Sequence, residues 1–198
     1  MIDQRRSKGA KTRDKVLETA AQLFQQQGYA ATSINQIISR SGQPKGSLYF
    51  HFPGGKQEIA MAAAAQSSEL ILVLINDIFT TSKTLLEAMT FVCTAFSSQL
   101  QDSEYRDGCP ISPLTTSSKG EASPLRQSCA AAFEGWLDAI KDGLVRHGIA
   151  ITECAALASL ILSSVEGAIL LSQARHNTEA LEQLPASLAP LLEKTGEH

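Results

Sequence analysis

The sequence is poor in aromatic residues, which make up only 6% of its 198 residues, whereas Ala, Leu, Ser and Gln are plentiful. Because strands favour β-branched and aromatic residues, this composition favours helices over sheets. Hydrophobic residues make up 43% and charged residues 19% of the chain, which is typical of a globular protein and not of a disordered one. We therefore expect an all-α fold.

The four cysteines lack the spacing of a metal site. Cys93, Cys109, Cys129 and Cys154 occur singly, without a C-x-x-C pair or a histidine at metal-ligand spacing. We interpret them as reduced, structural thiols and expect neither a metal nor a cofactor. Cys109 precedes Pro110 near a predicted helix start, where the pKa of a thiol can be lowered, so a redox role stays an alternative to a plain packing role.

The chain also lacks the signals of secretion and of a membrane anchor. Its N-terminus is polar and charged, without an apolar stretch of the secretory type. The longest apolar stretch, residues 157–171, is shorter than a bilayer requires and contains Glu166. We interpret it as a buried helix and expect a cytoplasmic protein.

Catalytic signatures are missing as well. Three of the four histidines, His147, His176 and His198, lie at predicted helix ends or at the chain terminus. No P-loop, nucleophile elbow or metal-binding motif occurs, so we expect that the protein is not an enzyme. An interaction or scaffold protein is a further alternative. It would bind DNA weakly and with little response to salt, whereas the affinity of a DNA-binding regulator falls steeply with salt.

Charge is distributed unevenly along the chain. Residues 1–56 contain nine Lys and Arg against three Asp and Glu, a net charge of +6, so the remainder carries −9 of the total of −3. This segregation indicates an N-terminal end that binds a polyanion and a body that does not.

The basic end has the pattern of three helices. The first is predicted to begin near Lys11 and to end at Gly28, with Tyr29 folding back onto its apolar stripe. The stripe consists of Leu17, Ala20, Ala21 and Phe24.

Two short helices are predicted to follow. One starts at Thr32 or Ser33, where Ser33 and Gln36 have capping-box spacing, and ends at Ser41–Gly42. The next opens at Gln43–Pro44, with proline at the first helical position. A supporting helix followed by two short helices and a tight glycine-containing turn is the plan of a helix-turn-helix.

The third helix has one side for docking and one side for DNA. Leu48 and Phe52, one turn apart, form the predicted docking side. A lysine can contact guanine or a phosphate, and a serine can contact a base edge or a phosphate. A glycine allows close approach of the backbone, and tyrosine and histidine can bind phosphates. The outward set consists of Lys45, Gly46, Ser47, Tyr49 and His51.

A long fourth helix is predicted from Lys56 to about residue 80, after Pro53-Gly54-Gly55. A cation at a helix N-terminus opposes the helix dipole, and a phosphate bound there by Lys56 and the free N–H groups would reverse the penalty. A solvated surface lysine is the alternative. Further helices are predicted over about 84–101, 121–147, 152–175 and 178–193, with an interrupted stretch around Gly108, Pro110 and Pro113.

Residues 11–56 resemble the DNA-binding domain of TetR-family regulators. The resemblance rests on the segments 28–33 (GYAATS) and 44–56 (PKGSLYFHFPGGK). The PGGK ending and the GCPI segment at 108–111 are similar to the branch typified by LmrA and YxaF. Pro44 departs from the family, in which many members carry a serine that caps the helix and touches phosphate, so that contact is absent. The DNA-contact positions implied by the resemblance are Thr32, Ser33, Gln43, Lys45, Gly46, Ser47, Tyr49, His51 and Lys56.

The resemblance also implies an all-helical homodimer. Its helix-turn-helix DNA-binding domain would span residues 1–55, and a helical effector-binding and dimerisation domain would span residues 56–198. The protein would be a repressor of double-stranded operator DNA, and a small hydrophobic or aromatic ligand would release it by spreading the two DNA-binding heads. The apolar residues of 155–171 do not share one narrow stripe, which favours a subunit interface over a helix buried in a monomer.

Candidate pocket residues are bulky or polar positions on otherwise apolar helices. Each aromatic among them could instead be ordinary core, and Glu166 could make a polar contact at the dimer interface. The candidates are Phe79, Phe91, Phe96, Cys109, Phe133, Trp136 and Glu166.

Overall fold

The computed structural model describes residues 2–117 and 123–192, and these residues form helices and connecting turns without a strand. The predicted all-α fold is confirmed. Residues 121–122 and 193 of the predicted helices lie outside the described part. The helices are α1 (Ile2–Ala31), α2 (Ile34–Ser41), α3 (Lys45–His51), α4 (Gly55–Thr81), α5 (Leu85–Asp102), α6 (Ser112–Ser117), α7 (Pro124–Arg146), α8 (Ile151–Arg175) and α9 (Glu179–Leu192).

Two features correct the sequence predictions, and the break at Gly28 agrees with them. Helix α1 begins at Ile2 and not near Lys11, because residues 2–10 are mostly polar and offer no apolar period to detect. Gly28 interrupts α1 with a non-helical backbone (φ +77°, ψ +168°), in agreement with the helix end predicted there, and a further helical stretch runs to Ala31. The stretch predicted to be interrupted contains the short helix α6.

The first compact unit comprises Met1–Ser68 and Pro110–Ala132. In it α1 packs against α2, α3 and α6. Ala21, predicted in the apolar stripe of α1, is only half-buried, and Val16 and Leu23 are buried instead. Full burial of one such large apolar side chain contributes about 1.5–3 kcal/mol. The fully buried large side chains among α1, α2 and α3 are Leu17, Phe24, Ile37 and Leu48.

The second compact unit comprises Glu69–Cys109 and Phe133–His198. Its described helices α5, α8 and α9 pack together around one apolar cluster. Helix α7 approaches the end of α4 closely, since a Cβ at Gly143 would lie 2.3 Å from the Phe79 ring. The compact units divide within α4, whereas the functional boundary after residue 55 stays a prediction.

Two of the described helices, α4 and α8, are long and apolar enough that length and composition alone would let them cross a membrane. This corrects the length argument for residues 157–171, because α8 extends that stretch to 25 residues. Apolar helices of globular cores have the same properties. Of the most apolar window of α8, 33% is buried within the chain. The exposed leucines of this helix are Leu160, Leu170 and Leu171.

Candidate DNA-binding surface

The turn between α2 and α3 forms as its residues predict. The Ser33 hydroxyl accepts from the Gln36 N–H at 3.2 Å, and the Ser33 N–H donates to the Gln36 side-chain oxygen at 2.7 Å, which completes a capping box. Gly42 has φ +67°, and its N–H donates to the Ile38 carbonyl at 3.1 Å. Such a left-handed residue favours glycine because it has no Cβ to clash. These contacts fix where α3 begins.

The sequence predicts Pro44 as the first residue of α3, but the helix begins one residue later. It is the N-cap of α3 with an extended backbone (ψ 141°), and the first helical residue is Lys45. Its ring offers no side-chain acceptor, so this cap has no side-chain hydrogen bond. The Pro44 carbonyl instead accepts from the Leu48 N–H at 3.1 Å.

The two sides of α3 divide as predicted. Leu48 is fully buried and Phe52, its C-cap, is 1% exposed. On the opposite side Lys45 and Gly46 are exposed and Tyr49 is 40% exposed, while Ser47 and His51 are half-buried. A Cβ at Gly46 would meet no atom within 4 Å. The outer surface at this glycine is therefore open to a ligand that approaches the backbone.

Phe50 belongs to the outer side of α3, and the sequence reasoning missed it. Its side chain is 81% exposed, and its ring lies 5.2 Å from that of His51. A helical residue two positions from a buried neighbour points to the far side of the helix. Because Leu48 and Phe52 flank it at that spacing, the pattern could have identified Phe50.

Thr32 is placed inside the fold. Its side chain is 1% exposed, and its hydroxyl donates to the Gly28 carbonyl at 2.8 Å while accepting from the Gln27 amide at 3.1 Å. These bonds hold the kinked end of α1 to the start of α2, which leaves no hydroxyl for DNA in this arrangement. The neighbouring Ser33 is exposed. Its cap bond uses only an oxygen lone pair, so its O–H can still donate to a phosphate.

Gln43 lies in the turn between the two short helices. It is half-buried, its N–H donates to the Ser41 hydroxyl at 3.4 Å, and its amide lies 3.5 Å from the Ser41 carbonyl. The predicted contact position is thus next to the N-terminus of α3.

Lys56 has a partner within the chain. Its ammonium nitrogen lies 4.1 Å from the centroid of the Tyr29 ring, and burial lowers the pKa of Lys56 and raises that of Tyr29. Tyr29 contacts Phe24 at 5.7 Å between ring centroids, as the sequence predicts. Glu58 in the first turn of α4 accepts from the Gly54 N–H at 2.7 Å. The helix N-terminus therefore already has a carboxylate, and Lys56 is held in place instead of extending freely into solvent.

The start of α1 lies beside the end of α3. A Cβ at Gly9 would lie 3.7 Å from Cε1 of His51, and the Arg13 guanidinium lies 5.7 Å from the Phe52 ring centroid. Lys11 and Arg13 are exposed. The part of α1 that contains Gly9 and Arg13 is therefore adjacent to the C-terminal end of α3.

The predicted pocket residues all lie in the second unit but differ in exposure. Phe133 and Trp136 form an edge-to-face pair with centroids 5.2 Å apart. Phe79 is buried, and its carbonyl lies 3.0 Å from Nε2 of His147. Phe91 is 52% exposed. Of the remaining three, Cys109 is buried, whereas Phe96 and Glu166 are half-buried.

The second unit also contains a groove of about 310 Å³ between α5 and α9. Its lining includes Cys93, Ser97 and Glu182 but none of the predicted pocket residues. All four cysteines are buried thiols, and burial raises the pKa of Cys93 to about 11 and also those of Cys129 and Cys154. These three thiols are therefore protonated near neutral pH, which agrees with a structural role.

Two family models match separate parts of the chain, and known proteins align with nearly all of it. The model of bacterial regulatory proteins of the tetR family matches residues 16–63, and the model of the C-terminal domain of LmrA/YxaF-like transcriptional regulators matches residues 86–186. The HTH-type transcriptional regulator YxaF of Bacillus subtilis is 35% identical over 185 residues, which cover 93% of this chain and 97% of YxaF. LmrA of the same organism is 33% identical over 183 residues, covering 92% and 97%. These relatives are transcriptional regulators and not enzymes.

Solved structures agree with this assignment. A TetR transcriptional regulator from Chloroflexus aurantiacus J-10-FL has a TM-score of 0.79 and 27% identity, covering 96% of this chain and 98% of that chain. A TetR regulator from Legionella pneumophila, at 22% identity, shares the fold with a TM-score of 0.80, covering 90% and 95%.

Proposed function

Because this chain belongs to the TetR family of transcriptional regulators, in its LmrA/YxaF-like branch, and carries a DNA-binding helix-turn-helix, we propose that it is a repressor. A small hydrophobic or aromatic ligand releases it from its operator. The observation that carries the DNA-binding part is the outer side of α3, where exposed Lys45 and open Gly46 stand opposite buried Leu48 and Phe52.

The outer side of α3 supplies both base and phosphate contacts. Lys45 reads a guanine edge and Ser47 a base edge or a phosphate, while Gly46 lets the backbone approach the groove. Phe50 offers an apolar surface for a thymine methyl group. Four of the surrounding groups contact phosphates, and Thr32 positions α2 through its buried hydroxyl instead of touching DNA. The four residues that contact phosphates are Ser33, Gln43, Tyr49 and His51.

The protein acts as a cytoplasmic homodimer. Helix-turn-helix dimers place their recognition helices about 34–36 Å apart, one turn of DNA. The exposed Leu160, Leu170 and Leu171 supply an apolar surface on α8 for the subunit interface. Residues 1–55 form the DNA-binding domain and residues 56–198 the effector-binding and dimerisation domain.

The effector site lies in the second unit, among residues predicted from the sequence. The paired rings of Phe133 and Trp136 offer an aromatic wall, and half-buried Glu166 offers an acceptor. Trp136 is the single tryptophan of the chain. Titration with planar aromatic compounds is therefore expected to change its fluorescence, and the same compound should then dissociate the DNA complex. A compound that changes the fluorescence without affecting DNA binding would contradict the effector role.

Gel shifts of the purified protein test the regulator itself. DNA from the region around its own gene is used over a salt series. We expect a discrete complex on one palindromic fragment, with an affinity that falls steeply with salt. Equal binding to every fragment, or no binding, would contradict an operator-specific function. Weak binding that does not respond to salt would favour the scaffold alternative.

A further inference from the structure

The groove between α5 and α9 in the second unit, named here the α5–α9 groove, has a volume of about 310 Å³. Helices α5 and α9 pack against each other and form its walls. Ligand sites of proteins range from about 300 to 1,000 Å³, so this groove has room for a compound of one ring. Its lining contains none of the residues predicted for the effector pocket.

The α5 wall of the groove is a continuous polar stripe. Its members follow one another at intervals of one, three or four residues, so they lie on one face of the helix. The Thr90 hydroxyl donates to the Leu86 carbonyl at 2.8 Å, which leaves the Thr90 oxygen able to accept. Among the described residues, no group hydrogen-bonds the buried Ser97 hydroxyl, and a ligand that did so would offset the cost of its desolvation. The stripe consists of Thr90, Thr94, Ser97, Ser98 and Gln101.

The α9 wall adds two acceptors. Pro185 lies inside α9 and has no N–H, so the Leu181 carbonyl cannot accept the regular helical bond from four residues ahead. Leu181 and Pro185 both line the groove. The carboxylate of Glu182, the residue after Leu181, is the second acceptor in this wall.

The Glu182 carboxylate is held in place without a counter-ion. Its Oε1 accepts from the Thr178 hydroxyl at 2.5 Å, and Nε2 of Gln101 lies 3.5 Å from that hydroxyl, which links the carboxylate to α5. None of the ion pairs among the described residues includes Glu182, and the described lining of the groove contains no Lys, Arg or His. The groove therefore combines one negative charge with a surplus of acceptors.

We propose that the α5–α9 groove binds a small hydroxylated ammonium compound, such as an amino sugar. The ammonium group donates to the Glu182 carboxylate and to the Leu181 carbonyl, and the hydroxyl groups of the ligand bond the polar stripe of α5. Glu182 disfavours an anion, and a wholly apolar compound would leave the hydroxyls of the stripe unpaired. This site is distinct from the aromatic site proposed around Phe133 and Trp136, and the inference does not rest on the repressor function.

Isothermal titration calorimetry of the full-length protein tests the ligand class with three compounds of one ring in slightly acidic buffer. Glucosamine has an ammonium group and hydroxyl groups, glucose lacks the ammonium group, and cyclohexylamine lacks the hydroxyl groups. Glucosamine should bind, and each of the other two should bind at least about tenfold more weakly, because each loses hydrogen bonds to the groove. The inference would be overturned by glucose or cyclohexylamine binding as tightly as glucosamine, or by glucosamine without saturable binding.

Replacement of Glu182 tests the ammonium contact. Glu182→Gln keeps the shape of the side chain and an acceptor for Thr178 but removes the charge. It should weaken glucosamine binding by roughly tenfold and leave glucose binding unchanged. The matched control Glu179→Gln removes a carboxylate from the same first turn of α9, outside the lining of the groove, and should change neither affinity. Equal losses for the two sugars in Glu182→Gln, or an equal loss of glucosamine binding in Glu179→Gln, would contradict the assigned contact.

A variant that fills the groove tests the location. Thr94 is exposed and lines the groove, so Thr94→Leu should abolish glucosamine binding with unchanged helix content in circular dichroism. Glucosamine binding at full affinity in this variant would place the ligand elsewhere and overturn the inference. If Thr94→Leu does not fold, the comparison of Glu182→Gln with Glu179→Gln decides. Size-exclusion chromatography completes the test, because a monomeric Glu182→Gln beside a dimeric wild type would assign the groove to a subunit interface instead.

Discussion

The ammonium nitrogen of Lys56 lies 4.1 Å from the centroid of the Tyr29 ring, so the first turn of α4 is tied to the residue after the kink of α1. A cation–π contact contributes about 0.5–1 kcal/mol at an exposed site and about 2 kcal/mol when desolvated. The contact restricts where the Lys56 charge can lie. That charge is therefore positioned before any phosphate arrives.

Replacement of Lys56 tests whether the positioned charge binds DNA. Lys56→Ala should reduce affinity evenly across sequences and flatten the salt slope by about one unit. Tyr29→Phe keeps the aromatic face and should behave as the wild type, whereas Tyr29→Leu should bind the operator more weakly because Lys56 is no longer held. Gel shifts over a salt series measure all three. If Lys56→Ala keeps the wild-type slope, Lys56 does not contact a phosphate.

Lys45 is expected to read a base. Lys45→Ala should weaken operator binding by about 1–3 kcal/mol and relax the preference at one base position. Competition between the operator and its single-base variants measures both effects. An equal decrease on every sequence would assign Lys45 to a phosphate instead.

Replacement by alanine should have different effects at Gly46 and at Gly42: the first should weaken DNA binding and the second should reduce stability. Gly46→Ala meets no atom of the protein and adds a residue with higher helix propensity, so thermal stability should not fall. Operator affinity should fall, because the new methyl group occupies the space of the approaching DNA. Gly42 has φ +67°, and Gly42→Ala should cost about 1–2 kcal/mol of stability. Unchanged affinity in Gly46→Ala would show that the backbone does not approach the groove closely.

Phe50 and Phe52 separate a binding role from a packing role. Phe50 is 81% exposed, so Phe50→Ala should change stability by less than about 0.5 kcal/mol yet weaken operator binding. Phe52 is 1% exposed, and Phe52→Ala should cost about 3–5 kcal/mol of stability. Urea unfolding and gel shifts on the two proteins provide the comparison. Full operator affinity in Phe50→Ala would exclude a DNA contact by this ring.

Cys93 should make the protein less stable at high pH. Burial raises its pKa to about 11 from 9.0, so between these values the unfolded chain releases a proton that the folded chain keeps. The free energy of unfolding should therefore fall as the pH rises through this window, and the Cys93 thiol should have no such effect below it. Urea unfolding of the wild type and of Cys93→Ala at about pH 8 and about pH 10.5, below and within the window, tests the difference. Parallel decreases in the two proteins would contradict this role.

The local features of the helix-turn-helix were predictable. The capping box of Ser33 and Gln36, the turn at Gly42 and the docking pair Leu48 and Phe52 depend on residues close together in the chain. At this range helix geometry alone determines which groups meet. The start of α1 was not predictable by this means, because its first turns have no apolar period.

Burial and long-range contacts required the tertiary structure. Thr32 resembles an exposed contact residue in sequence, but packing of α1 against α2 encloses it and directs its hydroxyl to the Gly28 carbonyl. The exposure of the pocket candidates also depends on how the helices pack. Phe91 is half exposed and Trp136 is buried, although both are aromatic residues on apolar helices.

By itself, the sequence determined the helical class, the helix-turn-helix and the separation of a basic end from an acidic body, since composition, charge and short-range spacing are properties of the chain. The tertiary structure was needed to show that Lys56 lies on Tyr29, that Gly9 lies beside His51 and that the Thr32 hydroxyl is enclosed. The first two contacts join residues far apart in the chain, and which of them meet depends on how whole helices pack.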